Sequence, residues 1–195
     1  GSEVAFMVTS GSTLRTTGFE QVTALSNGGN DRAVMKGSVG FDNVTITSGM
    51  VEVANTAGVQ SASGFAETYT YLENNGDDSA TLSATAESDT LVGCLDWVRS
   101  YGNGYSNFIQ GFQSATVDAG EGADTFYLKD SAEDDQFVIR SGFTSASNLS
   151  HSIVLNNFET QVATSINGGT DSIQLFDSEF NDNLYSASNF TSMQN

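Results

Sequence analysis

Apolar and polar residues alternate along this chain in short runs, and the runs recur. Val22 and Ala24, Ala33 and Met35, Val44 and Ile46, and Val51 and Val53 give four period-two stretches divided by clusters of Gly, Asn, Asp and Ser. Strict alternation over so few residues predicts strands with one buried face, and the clusters between them predict turns. Thr, Val, Phe and Ser dominate the runs, as a pleated surface favours. No stretch of ten or more residues carries a 3.6-residue period, so an all-β chain is expected.

The order of elements itself repeats. GFEQVTALSNGGNDRAVMKGSVGFD, from Gly18 to Asp42, returns in altered form from Gly64, from Gly111 and from Asn157. Phe19, Phe65, Phe112 and Phe158 mark the period, 46 or 47 residues. Two acidic columns keep step with them: Asp31, Asp78, Asp124 and Asp171, then Asp42, Asp89, Asp135 and Asp182 eleven residues later. A third column, Met50, Trp97, Phe143 and Phe190, is large and apolar, and core filling is expected of it. Val4 occupies the same column, so the chain opens in mid-repeat, as an excerpt of a longer array or a ring closed by its termini would. We expect one domain over 1–195, with repeats at approximately 4–49, 50–96, 97–142 and 143–189 and a partial C-terminal repeat.

A 46-residue unit divides into two stretches of about 23, and stacked coils of a parallel β-helix need roughly that many residues. The expected architecture is therefore a β-solenoid with about two coils per repeat, about eight coils in all, and a length on the order of 40 Å. The alternative is a four-bladed β-propeller, since four strands in 40 to 50 residues also make a blade. The absence of Pro and the Gly, Asn and Asp turns favour tight solenoid corners.

Charge narrows the function. The 195 residues carry 24 acids against 6 bases, for a formal net charge of −18. Such a chain is a poor partner for nucleic-acid phosphates or an anionic membrane surface. The single Cys94 excludes an internal disulfide, and no run of eighteen apolar residues is present to span a bilayer as a helix. With 38% hydrophobic residues and 13 Phe the chain is too apolar for a disordered acidic tail.

GEGADTFYL, from Gly120 to Leu128, resembles the nonapeptide of haemolysin-type (RTX-like) calcium-binding repeats, and Gly28-Gly29-Asn30-Asp31 and Gly168-Gly169-Thr170-Asp171 are similar fragments. The longer pattern GF-x-x-V-x-A followed by G-G-x-D also looks like the 46- to 47-residue repeats of giant secreted bacterial surface proteins. The first resemblance implies an acidic β-solenoid with calcium bound at its turns. One copy per 46 or 47 residues departs from the tandem nonapeptides of that family.

Read from the residues, hard oxygen ligands in turns suit Ca²⁺. The candidate set is the two Asp columns with the neighbouring Asp130 and Asp177, beside Glu133, Asp134 and Glu179. Asx capping of turns would explain the same recurrence. The stretch Asp96, Trp97, Arg99, Tyr101, Asn103, Tyr105 and Asn107 holds the pieces of a carbohydrate platform, namely ring faces with polar neighbours. Tyr69, Tyr71 and Tyr127 are expected to be outward members of strands. Catalytic candidates are sparse: His151 is the only His and is expected in an exposed loop, and Arg140 is an isolated cation that a calcium-dependent lyase would need as its base. The expectation is a non-enzymatic structural or adhesive module of a secreted or cell-surface protein, with calcium as a rigidifying ligand. A carbohydrate-binding module is the alternative, and a polysaccharide-active enzyme stands third. The expected partners are neighbouring repeats, other copies of the chain, or glycans.

Overall fold

The alternating runs fold as strands throughout. A computed structural model of the protein describes residues 4–8, 13–17, 19–73, 76–187 and 190–194, with side chains at 19–73, 76–186 and 191–193. Gly18 and the side chains of Val4 and Phe190 lie outside the described residues. Those described form 21 strands and no helix. The first two, β1 (Val4–Val8) and β2 (Thr13–Thr17), make an antiparallel hairpin.

Counted from Phe19, Phe65 and Phe112 instead of from the large apolar column, each of the first three repeats runs as two single strands followed by an antiparallel meander, and a fourth, counted from Phe158, ends in a hairpin. The first has β3 (Gln21–Leu25), β4 (Arg32–Lys36) and the meander β5 (Asp42–Thr47), β6 (Met50–Asn55) and β7 (Gly58–Ser63). The second has β8 (Glu67–Tyr71), β9 (Ser79–Ser83) and the meander β10 (Thr90–Gly93), β11 (Trp97–Gly102) and β12 (Tyr105–Gln110). The third has β13 (Ser114–Asp118), β14 (Thr125–Lys129) and the meander β15 (Gln136–Arg140), β16 (Phe143–Ser147) and β17 (Ser152–Asn156). The fourth has β18 (Thr160–Thr164), β19 (Ser172–Leu175) and the hairpin β20 (Asn183–Ala187) and β21 (Phe190–Gln194).

Successive coils stack in parallel as a β-solenoid, and neither a propeller nor a barrel forms. One sheet has seven strands in the order β18-β14-β10-β11-β12-β8-β4, the other ten in the order β19-β15-β16-β17-β13-β9-β5-β6-β7-β3. The coil count differs from the expectation: there are about four turns, not about eight. Parallel neighbours lie 35 to 39 residues apart, as in Arg32 opposite Glu67 and Glu67 opposite Ser106. The meander accounts for the difference. Its three strands fold back within one sheet, so β12 lies against β8 while β10 meets β14, and those residues advance no coil.

Each of the first three repeats visits the two large sheets three times, an odd number, while the hairpins β1-β2 and β20-β21 form two-stranded sheets of their own. Successive repeats are therefore exchanged between the two large sheets: the first and third meanders lie in the ten-stranded sheet, the second in the seven-stranded one.

The interior is one continuous apolar cluster with a few buried polar members, Thr68, Thr70, Ser100, Asn107 and Thr144. Phe112, Phe126 and Phe158 are its largest fully buried side chains, and Phe126 meets Phe158 edge-on at 5.4 Å. The turn before the Phe column needs a left-handed residue. Gly64 and Gly111 have φ of 77° and 98°, and Asn157 holds the same place at 65°. The large apolar column does not fill the core as expected. Met50, Trp97 and Phe143 begin the middle strand of each meander and face outward, where alternation puts Val51, Val98 and Thr144 inside.

Candidate functional site

The solenoid's corners are held by the two acidic columns, which have different tasks. Each Asp of the second column closes a turn onto a hydroxyl residue four positions earlier. Asp42 Oδ2 accepts the Ser38 backbone N–H at 2.7 Å, Asp89 that of Thr85 at 2.7 Å, Asp135 that of Ser131 at 2.6 Å and Asp182 that of Ser178 at 2.8 Å. In all four the hydroxyl also bonds the carboxylate and accepts an N–H two residues on. These hydroxyl residues were legible as a column but escape a search for acids alone.

The first column joins one coil to the next. Asp78 Oδ1 accepts the Asp42 backbone N–H at 2.8 Å, Asp124 that of Asp89 at 2.7 Å, and Asp171 that of Asp135 at 3.0 Å. The three rungs stack carboxylate over carboxylate. They do not form a row along one side as coil stacking alone implies, because the exchange of repeats puts the middle rung at the entrance to the other sheet.

Burial makes these pairs costly. Asp42, Asp78 and Asp124 are fully buried and Asp89 nearly so, and Asp78 Oδ2, Asp89 Oδ1 and Asp124 Oδ2 have no hydrogen-bond partner. Desolvation pushes Asp78 and Asp124 above the ordinary carboxylate range; the backbone N–H of Asp42 or Asp89 opposes this, and that residue's own charge adds to it. Asp171 goes the other way, lowered by the Ser165 hydroxyl and then by the Asp135 N–H. Position +13 from the second-column Asp tunes the rung. Asn55 gives its amide to Asp42 Oδ1 at 2.8 Å, and Asn148 reaches Ser131 Oγ at 3.2 Å. In the second repeat this place is Gly102, and the ring of Tyr105 fills it. A Cβ there would stand 2.0 Å from the Tyr105 ring and 2.1 Å from Asp89 Oδ1.

Calcium takes six to eight oxygen ligands. The Asp42–Asp78 rung leaves one carboxylate oxygen without a hydrogen bond, the Asp89–Asp124 rung two, and the oxygens of Asp135 and Asp171 are all engaged. Asp130 is buried with Oδ2 on the N–H groups of Ile166 and Asn167 and Oδ1 on the Asn167 amide. Asp31 is exposed and bonded to the Ser26 hydroxyl, Asp177 is exposed, and Asp134 accepts the Thr170 N–H. Among the described residues no three acidic, His or Cys side chains converge as metal ligands would. The donor sets present fall short of the cage that the resemblance implies, and their geometry is that of turn and coil staples.

A second candidate lies on the outside of the seven-stranded sheet. Its central row places Arg99 between Val34, Tyr69 and Phe108 on one side and Val92, Tyr127 and Val162 on the other. Phe108 is ringed by Tyr69, Tyr71 and Trp97 at centroid distances of 5.9, 5.8 and 6.1 Å. Arg99 lies 4.8 Å over Tyr101 and its Nε donates to Ser106 Oγ, while Arg32 lies 4.9 Å over Tyr69 and pairs with Glu67 at 2.7 Å. Lys36 and Lys129 complete the flanking row and point outward. The Tyr69, Tyr71 and Tyr127 expectation holds.

The proposed carbohydrate stretch divides. Trp97, Arg99 and Tyr101 share this face, whereas Tyr105 is buried toward Asp89 and Asn107 bonds Thr68 inside the coil. Asp96 lines an open cleft of about 770 Å³ at a corner, with Asp77, Gln113 and His151. His151 is half-buried there, not exposed, and its backbone N–H is held by Asn148 Oδ1. Arg140 stacks over Phe143 and Phe176 on the outer face of the ten-stranded sheet. Lys36, Phe108 and Lys129 were not singled out in the sequence, since their alignment across strands depends on register.

Comparison with protein-family models, with curated proteins and with solved structures gives no match. The likeness to haemolysin-type and giant surface-protein repeats rests on the quoted residues alone.

Proposed function

We propose that this chain is a structural and adhesive repeat module of a secreted or cell-surface protein. The observation that carries the reading is the outer face of the seven-stranded sheet, which draws strands from all four repeats into one aromatic surface. Corners stapled by the same Ser/Thr and Asp residues let repeats follow one another without a change of scaffold, as solenoid arrays require. The second reading, a carbohydrate-binding module, is favoured by the outward grouping of Trp97, Arg99 and Tyr101. No catalytic role is part of the proposal, because Arg140 and His151 stand on different surfaces.

Beads coated with the chain test adhesion. They should be retained on at least one of a panel of glycan-, protein-, mineral- and chain-coated surfaces; release from all of them would refute the adhesive reading. Calcium has no part in this reading, because among the described residues no three candidate ligands converge. Melting with excess Ca²⁺ and with chelator should give the same transition within about 1 °C, and a rise of several degrees with Ca²⁺ would reinstate the ion.

A further inference from the structure

Charge on the outer face of the seven-stranded sheet is reversed relative to the rest of the chain. Four of the six basic residues, Arg32, Lys36, Arg99 and Lys129, point outward here, against one acid, Glu67, on the same strands. The face thus has a local excess of three positive charges on a chain whose net charge is −18. The opposite face has no such excess: its central row runs Thr23, Ser61, Glu52, Thr45, Thr81 and Thr116 in register, mainly hydroxyl with one acid, and among the described residues Arg140 is the cation on its strands.

We propose that the seven-stranded face binds a linear polysaccharide that carries acidic groups, laid across the strands. This inference rests on the adhesive reading above and adds the chemistry of the partner. Seven strands spaced by about 4.8 Å and about five residues wide make a flat strip of roughly 29 by 15 Å. Its area, about 400 Å², is half the ~800 Å² per partner of a standard protein interface, so it suits a slender chain better than a globular surface. Aromatic rings offer apolar faces on which sugar rings stack.

The cations supply the second half of the recognition. Arg99 is held over Tyr101 with its Nε on Ser106, so its planar fork is fixed before a carboxylate or sulfate arrives. At physiological salt the Debye length is about 8 Å, so the corner acids next to the strand ends, Asp31, Glu73, Asp96 and Glu159, temper the excess in the outer rows and oppose it least at Arg99 in the central row. Three net charges along 29 Å match a chain with intermittent acid groups. A nucleic acid would bring a phosphate at every residue against a protein of net charge −18.

The test uses the full chain and immobilised hyaluronan, with one carboxylate per disaccharide, and a galactan sulfated once per disaccharide, with a neutral soluble β-glucan, poly(dT) and the chain itself as the other surfaces. We expect binding to at least one acidic polysaccharide, weakened by added salt and stronger than to the β-glucan or poly(dT). Lys36→Glu/Lys129→Glu should lower that affinity about tenfold, and Trp97→Ala/Tyr127→Ala should do likewise. Thr81→Glu/Ser145→Glu on the opposite face should change it by less than about twofold. Circular dichroism checks that each variant is folded; the lysine pair, being exposed, decides if the aromatic pair is not. Absence of binding to both acidic polysaccharides overturns the inference, as does preference for poly(dT) or an unchanged affinity in the folded lysine variant. Capture by the chain-coated surface alone also overturns it, while leaving the adhesive reading intact.

Discussion

The corners and the seven-stranded outer face both concentrate functional groups, yet they use them in opposite ways. At the corners, carboxylates are buried and turned onto backbone N–H groups of their own turn and of the next coil. On the face, guanidinium and ammonium groups stand outward among aromatic rings. A buried charge earns its place only through the hydrogen bonds it receives, whereas an exposed one contributes little to folding and remains open to a partner. Recurrence alone does not distinguish them: the strongest repeats in the chain mark the scaffold, while the candidate binding surface mixes recurrent positions, such as Lys36 and Lys129 five residues after Asp31 and Asp124 and Trp97 of the large apolar column, with Arg99 and Phe108, which do not recur.

This contrast predicts a separation of stability from binding. The largest loss should follow Asp135→Ala, which removes a buried carboxylate, leaves the half-buried Ser131 N–H without its 2.6 Å acceptor and frees the hydroxyl it held. We expect a cost of about 2–3 kcal/mol, or a fall in melting temperature of roughly 5–10 °C for a chain of this size. A fall below a degree would break the distinction, because the staple would then be decorative.

Gly102→Asn should come next, at about 1–3 kcal/mol, since the new side chain meets the Tyr105 ring and Asp89. Adding Tyr105→His, which reproduces the Asn148 and His151 pair of the third repeat, should recover part of the loss. Purely additive melts would show that the two positions do not share one space.

Asp78→Asn should have a smaller effect, and its sign depends on pH. Asp78 is raised in the folded state, so the ionised form at neutral pH is unfavourable to folding, and that penalty is relieved as pH falls through the raised value. Asn keeps an acceptor for the Asp42 N–H without the charge. Near pH 7 the variant should melt about 1–3 °C above the native chain, and the difference should close on acidification. Asp171 works in reverse: its lowered value means that the stability it contributes is lost as pH falls through that value. The native chain should accordingly gain stability on mild acidification and lose it again at lower pH. The smallest effect is expected on the face: Lys36→Glu/Lys129→Glu should melt within about 0.5 kcal/mol of the native chain even as polysaccharide binding falls.

Much of this molecule is legible in its sequence, but unevenly. The strands with clean alternation, such as β4 and β5, are plain, whereas β7, Gly58–Ser63, carries Gly, Gln and Ser and too weak a pattern to be seen as a fifth strand. That fifth strand completes the meander, and without it a repeat divides into coils shorter than the 35 to 39 residues between parallel neighbours. The corner site is legible because each staple spans four residues. The face is not, because Lys36, Phe108 and Arg99 come from strands 60 and more residues apart at the extremes and meet only through pairing register.

The sequence by itself determined the repeat, the strand character, the inward and outward faces of most strands and the acidic turns, since all of these follow from local alternation and from contacts within a few residues. Tertiary structure decided three things: the exchange of successive repeats between sheets, the outward position of the Met50, Trp97 and Phe143 column, and the gathering of cations and rings on one face. These depend on an odd number of sheet visits per repeat and on a meander that folds back against the preceding coil, which are properties of how distant strands pair.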